Sequence, residues 1–187
     1  MTIDALEKGE LNEADLKIVV SNKEDARILE RARRAGIQAV FVSSKDKTRE
    51  DFDREVIKIL EEKKIDLVLL IGYMRLLSKE FVGQYRNKIM NIHPSLLPAF
   101  AGGMDKDVHQ EVLDYGCKVT GCTLHFIDEG TDTGPIVLQR AVKINQNETV
   151  DSLKEKVQQA EQEIILKAIK LFAQNKLKVE GRKVRII

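Results

Sequence analysis

Apolar segments of strand length alternate with amphipathic segments along the first half of the chain. The runs at 16–20, 37–42 and 66–71 have the length of buried strands, and the last is apolar almost throughout. A strand of that kind is typical of a sheet covered by helices on both faces. Residues 24–35 and 49–64 carry apolar residues at helical spacing between these runs. The alternation predicts an α/β fold with a doubly wound, mainly parallel, Rossmann-like sheet.

Capping residues mark the ends of the predicted helices. Ser21-Asn22 offers an N-cap for the helix at 24–35, and Gly36 closes that helix. The other helix starts are predicted, in chain order, at the capping box of Thr48 to Asp51, at Ser78, and at Thr149 or Asp151. A short helix is also expected within residues 1–11.

The second half of the chain departs from the regular alternation. A strand begins at residue 88, and Pro94 cannot donate to a sheet, so the strand should end at His93. The connection at 94–104 is long, and such loops in a compact domain are usually functional. Beyond it the pattern predicts, in order, a helix at 105–113, strands at 119–127 and 136–142, a helix reaching residue 172, and a hairpin around Gly181. No linker interrupts these elements, so we expect residues 1–187 to form one domain.

Asn91 and His93 are the first candidates for chemistry. Side chains two apart on a strand point to the same face, so an amide and an imidazole should lie together at the end of this strand. In open α/β sheets, ligands bind at the carboxyl ends of the strands. An amide can donate to an oxyanion and a histidine can move a proton, so the pair predicts chemistry at a carbonyl group. The alternative is a strand end capped by two satisfied polar residues.

Three blocks of sequence carry a resemblance to a known family. They are NIHPSLLP at 91–98, LIGYMRLLS at 70–78 and DEGTDTGP at 128–135. Together they resemble the phosphoribosylglycinamide formyltransferases of de novo purine synthesis, and the similarity runs from about residue 15 to near the C-terminus. The resemblance implies the formyltransferase fold. It also implies transfer of a formyl group from 10-formyltetrahydrofolate to the amine of glycinamide ribonucleotide.

The resemblance assigns the catalytic roles. Asn91 would stabilise the tetrahedral oxyanion, and His93 would carry the proton between the attacking amine and the leaving nitrogen. Asp132 would orient His93 and favour its charged form if the loop at 128–135 folds over the strand end. A plainer interpretation of Asp132 is an aspartate at a glycine-flanked turn.

The resemblance also implies two binding regions. Main-chain groups of residues 74–77 would bind the edge of the pterin, and Gly121 would let the main chain approach the folate closely. The full folate set is Arg49, Met74, Arg75, Leu76, Leu77, Asn91, Gly121, Asp128 and Asp132. The ribonucleotide set is Pro94, Gln158 and Glu161. Arg49 could instead be a solvated first-turn residue, and Gln158 and Glu161 could form an exposed polar stripe.

Other functions fit part of the pattern. Formyltetrahydrofolate hydrolases share the Asn-x-His and Asp arrangement but differ at the position of Pro94. Methionyl-tRNA formyltransferases resemble the end of the octapeptide but carry a basic C-terminal domain. A third alternative is a folate-binding protein without activity, because the family pattern begins with a strand and a glycine-rich phosphate loop that have no counterpart here. We therefore expect an N-terminally truncated fold that binds the ribonucleotide poorly. The strands at 16–20 and 66–71 would then have unpaired edges or pair with each other.

Composition and charge limit the kinds of partner that the protein is expected to bind. The formal charge of +1 comes from 31 basic and 30 acidic residues without long single-sign runs, so neither nucleic acid nor a membrane surface is expected. No apolar run approaches the ~20 residues of a membrane span. The cysteines at 117 and 122 favour a reducing cytoplasm. With the histidines at 109 and 125 they fit no strong zinc template, so no metal is predicted. A monomer or homodimer is expected.

Overall fold

A computed structural model describes residues 2–103 and 105–187, with the main chain alone at 105–107. The first half contains, in order, α1 (Thr2–Glu7), β1 (Ile18–Ser21), α2 (Arg27–Arg34), β2 (Gln38–Phe41), α3 (Arg49–Glu62) and β3 (Val68–Leu70). The second half contains α4 (Lys79–Gln84), β4 (Ile89–His93), α5 (Asp105–Asp114), β5 (Val119–Phe126), β6 (Ile136–Lys143), α6 (Val150–Ala173), β7 (Leu177–Glu180) and β8 (Lys183–Ile186). Every predicted strand and helix is present, with its ends moved by a few residues.

The strands form a mixed sheet in two parts. A two-stranded sheet holds β1 and β2, and a six-stranded sheet has the order β3-β4-β5-β6-β8-β7. The pairs β1/β2, β3/β4 and β6/β8 are parallel, whereas β4/β5, β5/β6 and β7/β8 are antiparallel. The α/β class is confirmed. Antiparallel pairing enters at β5, which runs opposite to both β4 and β6.

The two sheets are separated by a cavity. Within the described chain, β1 pairs with β2 and β3 pairs with β4, so the facing edges of β1 and β3 do not hydrogen-bond to each other. The cavity between them has a volume of about 1220 Å³, and its lining includes β1, β3 and apolar side chains of α3. Of the two arrangements expected for these strands, the structure therefore has the one with unpaired edges.

Most predicted helix caps are present. The side chain of Thr48 accepts the N–H of Asp51, and Ser78 accepts the N–H of Phe81. Thr149, rather than Asp151, caps α6 and forms a capping box with Ser152.

The predicted cap of α2 is wrong. That helix begins at Arg27, after Ala26, which makes no side-chain cap bond. Ser21 instead accepts the main-chain N–H of Lys23 at 3.1 Å, which stabilises a turn after β1 and delays the helix.

Two apolar clusters hold the elements together. One lies where α6 packs on β5 and β6, and the predicted face of α6 is buried there: Leu153, Val157, Ala160, Ile164 and Ala168. The other lies under α3 and α4, around Phe52 and Phe81. Among the helices that the structure describes, none is long and apolar enough to cross a membrane.

Candidate active site

The end of β4 presents Asn91 and His93 beside β5. Ile89 and Met90 are buried, which fixes the strand in the core. The antiparallel register with β5 places Asn91 opposite His125 and His93 opposite Thr123. The strand ends at His93, as Pro94 predicts. The expected pair of an amide and an imidazole is therefore held at the carboxyl end of a buried strand.

Asp132 lies between two histidines. Its Oδ2 is 3.3 Å from Nδ1 of His93, and its Oδ1 is 3.5 Å from Nε2 of His125. The N–H of Gly102 donates to the same Oδ2 at 2.9 Å. Only 12% of the Asp132 side chain is exposed, so these contacts form in a largely desolvated place. The loop at 128–135 thus brings Asp132 to His93, as the family resemblance implied.

Both ring nitrogens of His93 face oxygen atoms that can accept a hydrogen bond. Its Nε2 lies 2.9 Å from the carbonyl oxygen of Phe100, which can only accept, so Nε2 must carry a hydrogen. On its other side Nδ1 faces the carboxylate of Asp132, which also accepts when ionised. The form that donates to both partners is the imidazolium. Asp132 is therefore placed to orient His93 and to stabilise its positive charge.

His125 connects Asn91 to Asp132. Its Nδ1 donates to the carbonyl of Phe126 at 2.9 Å, so the neutral ring has a lone pair on Nε2. That lone pair faces Nδ2 of Asn91 at 3.4 Å. A protonated ring would instead donate from Nε2 to Asp132. In either form at least one hydrogen on Nδ2 of Asn91 remains for a ligand, because Nε2 of His125 can accept only one of the two.

The surroundings of Asp132 lower the pKa of its carboxyl group. The hydrogen bond from His125 contributes most, and the Gly102 N–H and the charges of both histidines add to it, while burial opposes the shift. Asp132 is therefore ionised at neutral pH.

The loop before Asp132 folds on its own side chains. Oδ1 of Asp128 accepts the N–H of Gly130 at 3.1 Å and the hydroxyl of Thr133 at 2.6 Å. A Cβ on Gly134 would lie 1.8 Å from the carbonyl oxygen of Phe126, so only glycine fits there. Asp132 itself has φ of 54°, a conformation that aspartate tolerates better than most residues. The carboxylate of Asp128 is thus engaged within the loop.

The loop after His93 is anchored to β5 and β6. The hydroxyl of Thr123 donates to the carbonyl of Ser95 at 2.7 Å and accepts the N–H of Leu97 at 3.0 Å. The amide of Gln139 donates to Thr123 at 2.9 Å and to the carbonyl of Leu97 at 3.0 Å. This partly buried network anchors Ser95 and Leu97 at the start of the loop, which continues to the Phe100 carbonyl over His93.

The predicted folate residues on the loop at 72–77 differ in exposure. Met74 and Leu76 are 59% and 60% exposed, as ligand-contacting walls require. Leu77 packs against the cluster under α3 and α4. The guanidinium of Arg75 lies 4.8 Å from the ring centroid of Phe52.

Two other predicted folate positions are engaged within the protein. Arg49 begins α3 and forms an ion pair with Glu50 at 2.8 Å. Gly121 is buried, and a Cβ there would lie 2.0 Å from the carbonyl oxygen of Arg140 and 2.9 Å from Leu96. The expected close approach at Gly121 is therefore to β6 and the loop after His93. This packing, and not a ligand, requires glycine.

The predicted ribonucleotide residues lie on two elements. Pro94 is buried directly after β4, while Gln158 is exposed and Glu161 half-buried on α6. Glu161 is near Cys122 on β5, where burial chiefly, and the charge of Glu161 in addition, raise the pKa of the thiol to about 12. Cys117 and Cys122 are both free thiols. Over the described residues, no three His, Cys, Asp or Glu side chains form a group that could hold a metal ion.

His125 is a site residue that the sequence did not predict. The available signal was a histidine near the end of a predicted strand, three residues before Asp128. Its partner Asn91 is 34 residues away in sequence, so only the sheet register joins them.

Comparison with known proteins gives a consistent set of relatives. The profile of the formyl transferase family matches residues 1–169. The human trifunctional purine biosynthetic protein adenosine-3 is 44% identical over 161 residues, which cover 86% of this chain and only 16% of that protein. The phosphoribosylglycinamide formyltransferase of Escherichia coli is 37% identical over 178 residues, covering 95% of this chain and 82% of the relative. A crystal structure of glycinamide ribonucleotide transformylase 1 from Symbiobacterium toebii superposes with a TM-score of 0.92 and 41% identity, over 99% of this chain and 86% of that one.

Proposed function

Because this chain belongs to the formyl transferase family, we propose that it transfers a formyl group from 10-formyltetrahydrofolate to the amine of glycinamide ribonucleotide. The relative from Escherichia coli is named for formyl transfer to phosphoribosylglycinamide, and the sequence motifs predict the same reaction for this chain. The placement of Asp132 between His93 and His125, beside Asn91, is the observation that carries the proposal.

The residues support a sequence of bond changes at the formyl carbon. The amine of the acceptor attacks that carbon and forms a tetrahedral intermediate, whose oxyanion accepts the free N–H of Asn91. Such a donor is typically worth about 2.7–4 kcal/mol of transition-state stabilisation. The intermediate collapses by breaking the bond to the folate nitrogen, which must gain a proton. The attacking amine must lose one, so the two proton movements balance.

His93 is the residue that we propose moves this proton. Asp132 orients the ring through Nδ1, which leaves Nε2 as the nitrogen for proton transfer. In the present structure Nε2 donates to the carbonyl of Phe100. We therefore propose that the bound acceptor replaces this carbonyl as the partner of Nε2, with a shift of the loop after His93.

Substrate placement in the proposal follows the two predicted regions. The exposed apolar side chains of Met74 and Leu76 would contact the folate, together with Arg49, Arg75, Leu77 and Asp128. Pro94, Gln158 and Glu161 would contact the ribonucleotide. No metal is needed, since acid–base and oxyanion groups come from the chain itself. We further propose a cytoplasmic enzyme of purine synthesis that works as a monomer or homodimer.

A turnover assay distinguishes transfer from hydrolysis. The protein is incubated with 10-formyltetrahydrofolate, with and without glycinamide ribonucleotide, and formylated product and free formate are measured separately. Transfer predicts formylated ribonucleotide and little formate. Formate released at the same rate without the ribonucleotide would support the hydrolase alternative. Folate binding without either product would support the alternative of a binding protein without activity.

A further inference from the structure

Asp53 is a fully buried carboxyl group that the proposed chemistry does not use. It lies on α3 with 0% exposure, and its Oδ2 accepts the main-chain N–H of Ser78 at 2.5 Å. Its Oδ1 has no hydrogen-bond partner within the part of the chain that the structure describes. Leaving a buried carboxyl oxygen without a partner costs free energy that an apolar residue would not cost. The position of Asp53 therefore calls for a role beyond packing.

The partner of Asp53 lies at one end of the exposed loop at 72–77. Ser78 directly follows that loop, is itself buried, and caps α4 by accepting the N–H of Phe81 at 3.2 Å. Asp53 thus binds the main chain at the point where the loop ends and α4 begins. The hydroxyl of Ser78 accepts from α4, and the main-chain N–H of Ser78 donates to Asp53.

The same turn of α3 also contacts the middle of the loop. Arg75 lies over the ring of Phe52, the residue before Asp53. The phenol of Tyr73 is near both Asp53 and Arg75: burial and the charge of Asp53 raise the pKa of Tyr73 to about 12, and Arg75 opposes the shift. Phe52 therefore contacts the middle of the loop at Arg75, and Asp53 binds the main chain at the end of the loop, at Ser78.

These contacts determine where the exposed apolar side chains of the loop stand. Met74 and Leu76 alternate along the chain with Tyr73, Arg75 and Leu77, whose side chains are half-buried. When contacts with α3 fix the half-buried residues, the side chains of Met74 and Leu76 remain on the solvent side of the loop. Pre-organisation of this kind improves affinity because less conformational entropy is lost when a ligand binds.

We propose that Asp53 is a positioning residue for the formyl donor, which fixes the loop at 72–77 through the N–H of Ser78 before the donor binds. The identity of the ligand as the formyl donor rests on the proposed function. The contact by which Asp53 fixes the loop does not depend on that function. Asp53 touches no reacting atom, so its removal should affect binding of the donor more than the chemical step.

Two substitutions at Asp53 test the role of the acceptor. Asp53→Ala removes it, and Asp53→Asn keeps one oxygen that can accept the Ser78 N–H. We expect Asp53→Ala to raise the KM for 10-formyltetrahydrofolate by about tenfold or more, as loss of a bond to a charged group predicts. The KM for the ribonucleotide and kcat should stay within about threefold, a change of under 1 kcal/mol. Asp53→Asn should restore most of the donor KM.

Ile165→Ala is the matched control for stability. Ile165 is fully buried on α6 in the other apolar cluster, away from the loop. It should lower the midpoint of urea unfolding without raising the donor KM. An equal rise in donor KM for Ile165→Ala and Asp53→Ala would overturn the proposal, since Asp53 would then act through stability alone. So would an Asp53→Asn protein that behaves like Asp53→Ala.

Amide hydrogen exchange without ligand separates this proposal from the proposed function. The amide of Ser78, whose N–H is bonded to Asp53, should exchange at least about tenfold faster in Asp53→Ala than in the wild type, while the amides of β4 are unchanged. Unchanged exchange at Ser78 overturns the positioning role even if the protein is an active transferase. Faster exchange in a protein that does not turn over the folate supports the fixing of the loop and contradicts only the proposed function.

Discussion

Replacing Asp132 by asparagine tests the centre of the site with little change in shape. The carboxylate has three partners within 3.5 Å: Nδ1 of His93, Nε2 of His125 and the N–H of Gly102. An amide can keep the bond to Gly102 through its oxygen. It cannot carry the negative charge that favours a protonated His93, and its NH₂ group would face an imidazole N–H. The substitution therefore removes the charge and leaves the packing in place.

The size of the expected effect follows from the role of His93. General acid–base catalysis typically contributes about 10²–10⁴-fold, which corresponds to roughly 2.7–5.5 kcal/mol in the barrier. His93 is the group proposed to move the proton, and Asp132 orients it. Removing the Asp132 carboxylate should therefore cost most of the rate factor from acid–base catalysis. We expect kcat for formyl transfer to fall by at least about 10²-fold. Binding of the folate should change less than kcat, because Asp132 is one of nine predicted folate residues and the loop at 72–77 supplies four of the others.

Turnover of 10-formyltetrahydrofolate with glycinamide ribonucleotide measures the loss, and calorimetry with tetrahydrofolate measures binding. Glu129→Gln is the matched control, because it removes a carboxylate from the same loop. Glu129 is 68% exposed and 3.6 Å from Lys79, and a surface pair of that kind contributes about 0–1 kcal/mol. If Asp132→Asn keeps more than about a tenth of the wild-type rate, the role assigned to Asp132 is wrong.

The remaining predictions concern the same network. His93→Ala should lower kcat by about 10²–10⁴-fold with folate binding intact, and a residual rate above about a tenth would contradict the proton-transfer role. Asn91→Ala should lower kcat by about 10²–10³-fold and raise KM less, because its amide binds charge that develops in the transition state; a change confined to KM would show ground-state binding instead. The pKa of Asp132 is lowered in the folded state, so its ionised form stabilises the fold above the ordinary aspartate value of about 3.9 and this contribution is lost as pH falls through the folded pKa. Urea unfolding should therefore show a larger loss of stability on acidification for the wild type than for Asp132→Asn, and parallel curves would refute the linkage. Gly134→Ala should lower the free energy of unfolding by about 1–3 kcal/mol and reduce activity, because the added methyl meets the Phe126 carbonyl; urea unfolding with unchanged stability would show that the loop can move aside.

Much of the fold was determined by local sequence. Gly36, Thr48, Ser78 and Thr149 marked helix ends correctly, because a cap bond forms between residues close in the chain. Pro94 correctly predicted the end of β4, since the missing N–H is a property of that residue alone. The apolar face of α6 also followed from spacing. The start of α2 was missed because the turn at Ser21 competed with the cap.

The site itself was only half determined by the sequence. Asn91 and His93 were found because strand geometry places their side chains on one face, and the family motif supplied Asp132. The role of His125 required the register of β4 against β5, and the contact of the Phe100 carbonyl with His93 required the course of the loop after it. Pairings between residues far apart in sequence depend on how the whole chain packs, and no local pattern encodes the register. The same reason explains Asp53: as a residue within a helix it gave no signal, and only the packing of α3 beneath the loop at 72–77 revealed its contact with Ser78.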